Sequence, residues 1–138
     1  MTGARRPPAI VRVLRREGRN LRRRPTGEVG LVYRHASFEV VWVRKQGERV
    51  DPRWFSSPEV DLLIVVQGRL RVEFAERPPA PRTLGVGDVL VLPPNVRCRA
   101  YRWPRTARHA TVFLAVYPRK GRAPHPGRHN RRSPRRGA

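Results

Sequence analysis

The stretch from Glu59 to Gly68, Glu-Val-Asp-Leu-Leu-Ile-Val-Val-Gln-Gly, constrains the fold of this chain most. It contains an unbroken apolar run rich in β-branched residues, which is too short to cross a membrane and is closed by a glycine. Such a run predicts a buried strand that ends in a turn. Residues 69–74, Arg-Leu-Arg-Val-Glu-Phe, then alternate polar and apolar. This alternation predicts a second strand, paired with the first as a hairpin.

Short strands are predicted along most of the chain. The same patterns mark residues 29–33, 37–43, 60–67, 69–75, 89–92, 96–103 and 109–117, with glycine-rich or proline-rich turns between them. Regularly spaced short strands without a convincing helix among them predict a β-sandwich or barrel. Before the first strand, we predict a short helix over residues 8–17 and a linker over residues 22–27.

The positive charge lies mainly in the two flanks of the chain. The 138 residues carry a formal net charge of +21. Residues 1–28 contain nine Arg and two Glu, and residues 118–138 contain seven Arg and one Lys without any acid. Such segments bury too little apolar surface to offset their ordering entropy. We therefore predict a mostly flexible basic segment at 1–28, a β-barrel at 29–118 and a disordered basic tail at 119–138.

The termini and the cysteine content predict a cytoplasmic protein. The basic N-terminus has no apolar segment of the signal-peptide type behind it, and no run is long enough to span a membrane. The single cysteine, Cys98, cannot form an intrachain disulfide and gives no indication of secretion. We expect no membrane partner.

Two blocks of the chain resemble the two motifs of the cupin superfamily. The family motifs read Gly-x5-His-x-His-x3–4-Glu-x6-Gly and Gly-x5-Pro-x-Gly-x2-His-x3-Asn. Asp61 takes the place of the first motif's Glu relative to Gly68, and Gly87 to Cys98 follow the second motif. There Asn95 replaces a glycine, a sensible exchange because Asn tolerates the left-handed backbone conformation. The resemblance covers residues 30–117 and implies an all-β fold, the cupin-like double-stranded β-helix or jelly-roll barrel.

The metal-binding positions of the family are not kept. Metallocupins use two His and a Glu from the first motif and one His from the second. The matching positions here are Trp54, Ser56, Asp61 and Cys98, and the four histidines of the chain lie elsewhere. Tryptophan has no lone pair to offer, neutral serine is a poor ligand, and two remaining groups are too few for a catalytic zinc. We predict no metal and no cofactor.

The resemblance then implies a small organic ligand in the mouth of the barrel. The residues predicted to line its site are Trp54, Ser56, Asp61, Leu63 and Cys98. A metal-free, non-catalytic binding role is favoured, although the sequence leaves open whether the protein is an enzyme. The alternatives are a cofactor-free isomerase or epimerase and a residual metalloenzyme.

Two of these residues have a structural interpretation beside the functional one. Asp61 is the sole candidate catalytic residue, as a buried general base, but a structural acid, facing outward or paired with Arg53 or Arg97, is the favoured interpretation. Cys98 could be a reactive thiol. A carboxylate neighbour would raise the pKa of that thiol, so a small buried hydrophobe is favoured.

The partners follow from the strand faces and from the flanks. Both faces of 62–66 and 89–92 are apolar, so each face needs a cover, either the N-terminal segment or a second subunit. Because small cupins commonly pair through such a sheet, we predict a homodimer. The arginine-rich flanks suggest an alternative function, in which they bind nucleic-acid phosphates and the barrel is a dimerisation scaffold. The competing interpretation of the flanks is compositional bias alone.

Overall fold

The computed structural model describes residues 7–24 and 26–119, the side chain of Asn20 excepted. Within them one 3₁₀ turn, Val13–Arg15, precedes nine strands. The strands are β1 (Arg19–Arg24), β2 (Gly27–Arg34), β3 (Phe38–Lys45), β4 (Asp61–Gln67), β5 (Arg69–Phe74), β6 (Arg82–Leu84), β7 (Val89–Leu92), β8 (Cys98–Trp103) and β9 (Thr111–Pro118). The all-β prediction is confirmed. The short strand β6 lies where a loop and a turn were predicted.

The strands form two antiparallel sheets that face each other. The larger sheet has the order β1-β2-β3-β9-β4-β7, and the smaller has the order β6-β5-β8. Alternate residues point inward, so that Val41 and Val43 of β3 meet Leu63 and Val65 of β4 between the sheets. The same core includes Leu70, Val72, Phe74, Leu92, Cys98, Phe113 and Ala115.

Gly68 is a corner between the sheets rather than the turn of a hairpin. Strand β4 pairs with β7 and β9, whereas β5 pairs with β6 and β8, so the predicted hairpin is wrong. Gly68 has a φ of +73°, which suits a glycine. On either side, the Thr111 hydroxyl donates to the Arg69 carbonyl and the Gln67 amide donates to the Ala110 carbonyl. A strand that is apolar on both faces belongs inside a sheet, and that position leaves β5 to enter the other sheet.

The N-terminal segment is ordered over more of its length than predicted. The helix predicted over 8–17 is wrong, since a single 3₁₀ turn forms there, and the predicted linker contains the second half of β1. Strand β1 pairs with β2 through its backbone. The buried carboxylate of Glu28 in β2 forms an ion pair with the Arg16 guanidinium at 2.9 Å. The predictions for residues 1–6 and 120–138, including the disordered tail, concern residues outside the described ones.

Trp42 explains how the segment before β1 is held. Its side chain lies on the outer face of β3 but is fully buried. The indole Nε1 donates to the Glu17 carbonyl, and Gly30 lies directly against the ring. The N-terminal segment therefore covers part of the outer face of the larger sheet.

The turn of the second motif has the backbone that the sequence predicted. Asn95 has a φ of +66°, in the left-handed region. Its backbone N–H donates to the Ser57 carbonyl at 2.7 Å and ties this turn to the segment before β4. None of the described helical structure is long and apolar enough to cross a membrane.

Candidate functional site

A cavity of about 130 Å³ lies between the two sheets. Its apolar wall consists of inward-facing side chains of the barrel strands, namely Val29, Val41, Val43, Leu63, Leu92 and Phe113. Phe55 and Tyr117 lie edge to face, with ring centroids 6.1 Å apart, and also line it. A ligand here would lose water from most of its surface, as in typical small-molecule sites.

Five cationic side chains also line this cavity. Strand β1 provides Arg22 and Arg24, β3 ends with Lys45, and Arg53 and Arg99 come from the segment before β4 and from β8. The carboxylate among the lining residues is Asp51. A second cavity, of about 310 Å³, shares Arg24, Thr26, Asp51 and Arg53 with the first and extends the cationic region.

Asp51 is held by one of these cations. Nε and Nη2 of Arg53 donate to the two oxygens of Asp51 at 3.1 and 3.0 Å, a bidentate ion pair. This bonding lowers the pKa of Asp51 and raises that of Arg53. The carboxylate of Asp51 therefore balances the charge of Arg53.

Lys45 lies on the inward face of β3, after Val41 and Val43. Burial is the main cause that lowers the pKa of its amine. The charge of Asp51 opposes this effect, and the charges of Arg24 and Arg53 add to it. Within the described residues, the amine has no hydrogen bond and no ion pair.

Arg99 is positioned by the smaller sheet and by Trp54. Its Nε donates to Glu73 of β5 at 2.9 Å, and its guanidinium lies 4.4 Å from the centre of the Trp54 ring. The ring and the ion pair fix the direction of the side chain. Trp54 thus acts on the cavity through Arg99, without lining it.

Asp61 lies behind the cavity wall, and 1% of its surface is exposed. Within the described residues, neither carboxylate oxygen meets the geometry of a hydrogen bond. Burial raises the pKa of Asp61 to about 7, while the Ser57 hydroxyl opposes this shift and the charge of Glu59 adds to it. Arg53 and Arg97, the ion-pair partners considered from the sequence, bind Asp51 and Glu76 instead.

Cys98 and Tyr117 line the cavity and lie close enough to Asp61 for its charge to affect them. Burial raises the pKa of the Cys98 thiol to about 12, and the charge of Asp61 adds to the shift. The same two causes raise the pKa of the Tyr117 phenol. Both groups are therefore neutral at physiological pH, and the thiol is a poor nucleophile.

The structure brings together part of the predicted site. Leu63 and Cys98 line the cavity, and Asp61 is buried behind Cys98. Trp54 and Ser56 do not line the cavity, whereas their neighbours Arg53 and Phe55 do. Phe55 and Cys98 exchange two backbone hydrogen bonds of 2.8 Å, which place both side chains on the inner face. Their neighbours then point to the opposite face, as alternation requires.

The donor set does not fit the metal that the fold family commonly binds. The four matched positions contain the indole of Trp54, which points away from the cavity, and a Ser56 hydroxyl. Within residues 7–24 and 26–119, no three His, Cys, Asp or Glu side chains come together. Asp61 and Cys98 alone are fewer than the three protein ligands that a catalytic zinc requires.

The basic residues that line the cavity were not predicted from the sequence. A signal existed for Lys45, since it continues the alternation of Val41 and Val43 and must share their face. Arg22 and Arg24 carry no such signal, because they enter the cavity only when β1 pairs with β2.

No protein-family model matches the chain, and no curated protein sequence matches it. Several solved structures are similar. KdgF from a Halomonas species is 18% identical, with a TM-score of 0.59, over 73% of this chain and 88% of KdgF. A putative mannose-6-phosphate isomerase from Ralstonia eutropha is 23% identical, also with a TM-score of 0.59, over 73% of this chain and 93% of the isomerase.

A third similar structure shows which fold the two sheets form. An RmlC-like cupin with a double-stranded β-helix fold from Methanocaldococcus jannaschii is 16% identical, with a TM-score of 0.56, over 78% of this chain and 92% of that protein. The chain therefore has the cupin fold, a double-stranded β-helix. The fold class predicted from the two motif blocks is confirmed.

Proposed function

With a cupin barrel as the scaffold, we propose that this protein binds a small organic anion in the cavity between its sheets, without a metal and without catalysis. The observation that carries the proposal is the composition of the cavity lining: Arg22, Arg24, Lys45, Arg53 and Arg99 are basic, and Asp51 is the acidic residue among them. Positive charges that line one cavity repel each other, and a bound anion would lower that repulsion.

The rest of the wall determines what else the ligand carries. Apolar side chains from β2, β3, β4 and β9 also line the cavity. A small volume lined by both basic and apolar side chains suits a compact carboxylate with a hydrocarbon body. The anionic group would contact the guanidinium and ammonium groups, and the hydrocarbon part would contact the valines and Phe113.

Benzoate, benzamide and benzylamine test this proposal, because they share a ring and differ in charge. We expect benzoate to bind about tenfold or more tightly than benzamide, since a hydrogen bond to a charged group contributes roughly 1.5–3 kcal/mol. Benzylamine should not bind. Titration calorimetry at two salt concentrations measures the affinities, and the benzoate affinity should fall as salt rises. Equal affinities for the three compounds would contradict the proposal.

Two matched variants test where the anion binds. Arg53→Gln removes a cavity cation and leaves the Asp51 carboxylate without its bidentate partner. We expect it to weaken benzoate binding. Arg71→Gln removes the same charge from the smaller sheet, where Arg71 contacts Thr83 and the Trp103 ring. It should leave benzoate binding unchanged.

We also propose that the protein forms a homodimer through the outer face of the larger sheet. The N-terminal segment covers Trp42, but Val89 and Val91 of β7 are 51% and 57% exposed. Their cross-strand neighbours Ile64 and Leu62 of β4 continue the apolar surface. A second copy of this chain, related by a two-fold axis, would cover this surface with its own.

The other predicted functions gain no support from the described residues. Arg22 and Arg24 belong to the cavity, so part of the charge assigned to nucleic-acid binding has another role. Asp61 does not line the cavity and is poorly placed as the base of an isomerase or epimerase. Nucleic-acid binding by the flanks and a cytoplasmic location stay predictions from the sequence.

A further inference from the structure

Lys45 is placed differently from the other cations of the cavity. Its β3 position puts it on the same inner face as Val41 and Val43. Its cross-strand partners are Thr111 of β9 and Gly27 of β2.

The amine also lacks the partners that would hold a proton on it. Within the described residues, it has no hydrogen bond and no ion pair, and the nearby carboxylate of Asp51 is bonded at both oxygens by Arg53. Burial lowers its pKa, and the positive charges of Arg24 and Arg53 lower it further, against the effect of Asp51. A partly buried lysine among cations is a setting in which proteins use a neutral amine as a nucleophile.

We propose that Lys45 is a covalent capture site, at which its amine forms a reversible Schiff base with the carbonyl of a 2-oxo acid. The inference rests on the proposed anion site and narrows its ligand to one class. Arg24 and Arg53 would bind the carboxylate next to the carbonyl, and the apolar side chains of the cavity would contact the alkyl chain. A carboxylate adjacent to the carbonyl suits this arrangement, because the guanidinium groups and the amine line the same cavity.

The chemistry balances without any further reactant. The nitrogen lone pair of Lys45 attacks the carbonyl carbon and forms a C–N bond, and a proton passes from nitrogen to the carbonyl oxygen to give a carbinolamine. The C–O bond then breaks, water leaves and a C=N bond remains. Hydrolysis reverses both steps and releases the 2-oxo acid, so the site binds its ligand covalently and reversibly.

Borohydride trapping tests the inference on the full chain. The protein is incubated with 2-oxobutyrate and sodium cyanoborohydride, which reduces the imine to a stable secondary amine, and peptide mass spectrometry locates the adduct. The mapping is simple, because the sequence contains two lysines, Lys45 and Lys120. We expect one adduct per chain on Lys45, formed about tenfold faster than on free Nα-acetyl-lysine under the same conditions.

Matched variants and probes separate this inference from the proposed function. Lys45→Arg removes the nucleophile, so it should lose the adduct. Lys120→Arg should leave the adduct on Lys45 unchanged. Butyrate, which has no carbonyl, should compete with 2-oxobutyrate and slow the trapping.

The outcomes are distinguishable. Benzoate binding without faster trapping at Lys45 would overturn the Schiff base and leave the anion site standing. Absence of both would overturn the two proposals together. Because the mapping uses the wild-type chain, it decides the question even if Lys45→Arg fails to fold.

Discussion

Asp61, which is buried, and Lys45, which is partly exposed, are ionisable residues whose environments act in opposite directions on the charge of the site. Asp61 carries a carboxyl group whose charged form is disfavoured by burial, which raises its pKa to about 7. Lys45 is an amine whose pKa is lowered by burial and by neighbouring cations. In both residues the charged form is disfavoured, as desolvation requires. The arginines of the cavity, by contrast, keep their charge.

The raised pKa of Asp61 predicts a specific pH dependence of stability. The folded protein keeps the Asp61 proton up to about pH 7, whereas the unfolded chain releases it near the ordinary value of 3.8. Between these values the folded state binds more protons, so its stability falls as pH rises through this window and levels off above it. Asp61→Asn cannot ionise and should remove this fall.

Urea unfolding of the wild type and of Asp61→Asn at pH 5 and pH 8 measures the effect. We expect the wild type to lose more unfolding free energy than the variant between the two values, by a few kcal/mol, since a tenfold change in proton affinity is worth about 1.4 kcal/mol. Asp88→Asn is the control, because Asp88 is an exposed carboxylate of the β6–β7 turn. Parallel profiles for the wild type and Asp61→Asn would show that burial does not govern this carboxylate.

At the scale of elements, the N-terminal segment and β1 connect the fold to the site. Strand β1 brings Arg22 and Arg24 to the cavity, and the residues before it rest on Trp42. This arrangement depends on a close approach between β2 and β3. A Cβ added at Gly30 would lie 2.5 Å from Cε2 of Trp42.

Gly30→Ala should therefore destabilise the protein by roughly 1–3 kcal/mol, the usual cost of overpacking a core. The Trp42 ring cannot move away without breaking its contact with Glu17. Gly85→Ala is a matched control, since the nearest atom to its new Cβ would be 3.9 Å away. Urea unfolding followed by tryptophan fluorescence compares the two. A Gly30→Ala variant as stable as the control would mean that the segment before β1 can move with the Trp42 ring at little cost in free energy.

At the scale of the whole molecule, the larger sheet has an outer face that the described chain covers only in part. Strand β7 is its edge, and Val89 and Val91 on that edge are more than half exposed. An exposed apolar edge of this kind favours association with another chain. A closed two-fold dimer would bury this edge without leading to open-ended assembly.

Val91→Glu tests the dimer. We expect the wild type to have the mass of two chains in light scattering, and the variant to have the mass of one, because a buried unpaired carboxylate opposes the interface. Thr83→Glu adds the same charge to the edge strand of the smaller sheet and should remain dimeric. A wild-type monomer at all concentrations would contradict the proposal, as would a dimeric Val91→Glu variant.

Most strands of the barrel could be predicted from the sequence because strand formation is a local property. The alternation around residues 69–74 and the apolar runs of β4 and β7 depend on neighbouring residues alone, and the structure places strands there. The turn conformation of Asn95 was predictable for the same reason, since the residue type limits its backbone. Together with the spacing between the two motif blocks, these features were enough to indicate the cupin fold.

The site needed the tertiary structure, because it depends on which strands become neighbours. Phe55 replaces Trp54 in the cavity because its segment pairs with Cys98, a residue far along the chain. Arg22 and Arg24 reach the cavity because β1 pairs with β2, and Gly68 became a corner because β4 pairs with β9. The sequence by itself determined where most of the strands form and that the metal-binding histidines are missing. Only long-range pairing decided that the cavity is lined by cations, because the charge of a cavity depends on which side chains converge on it.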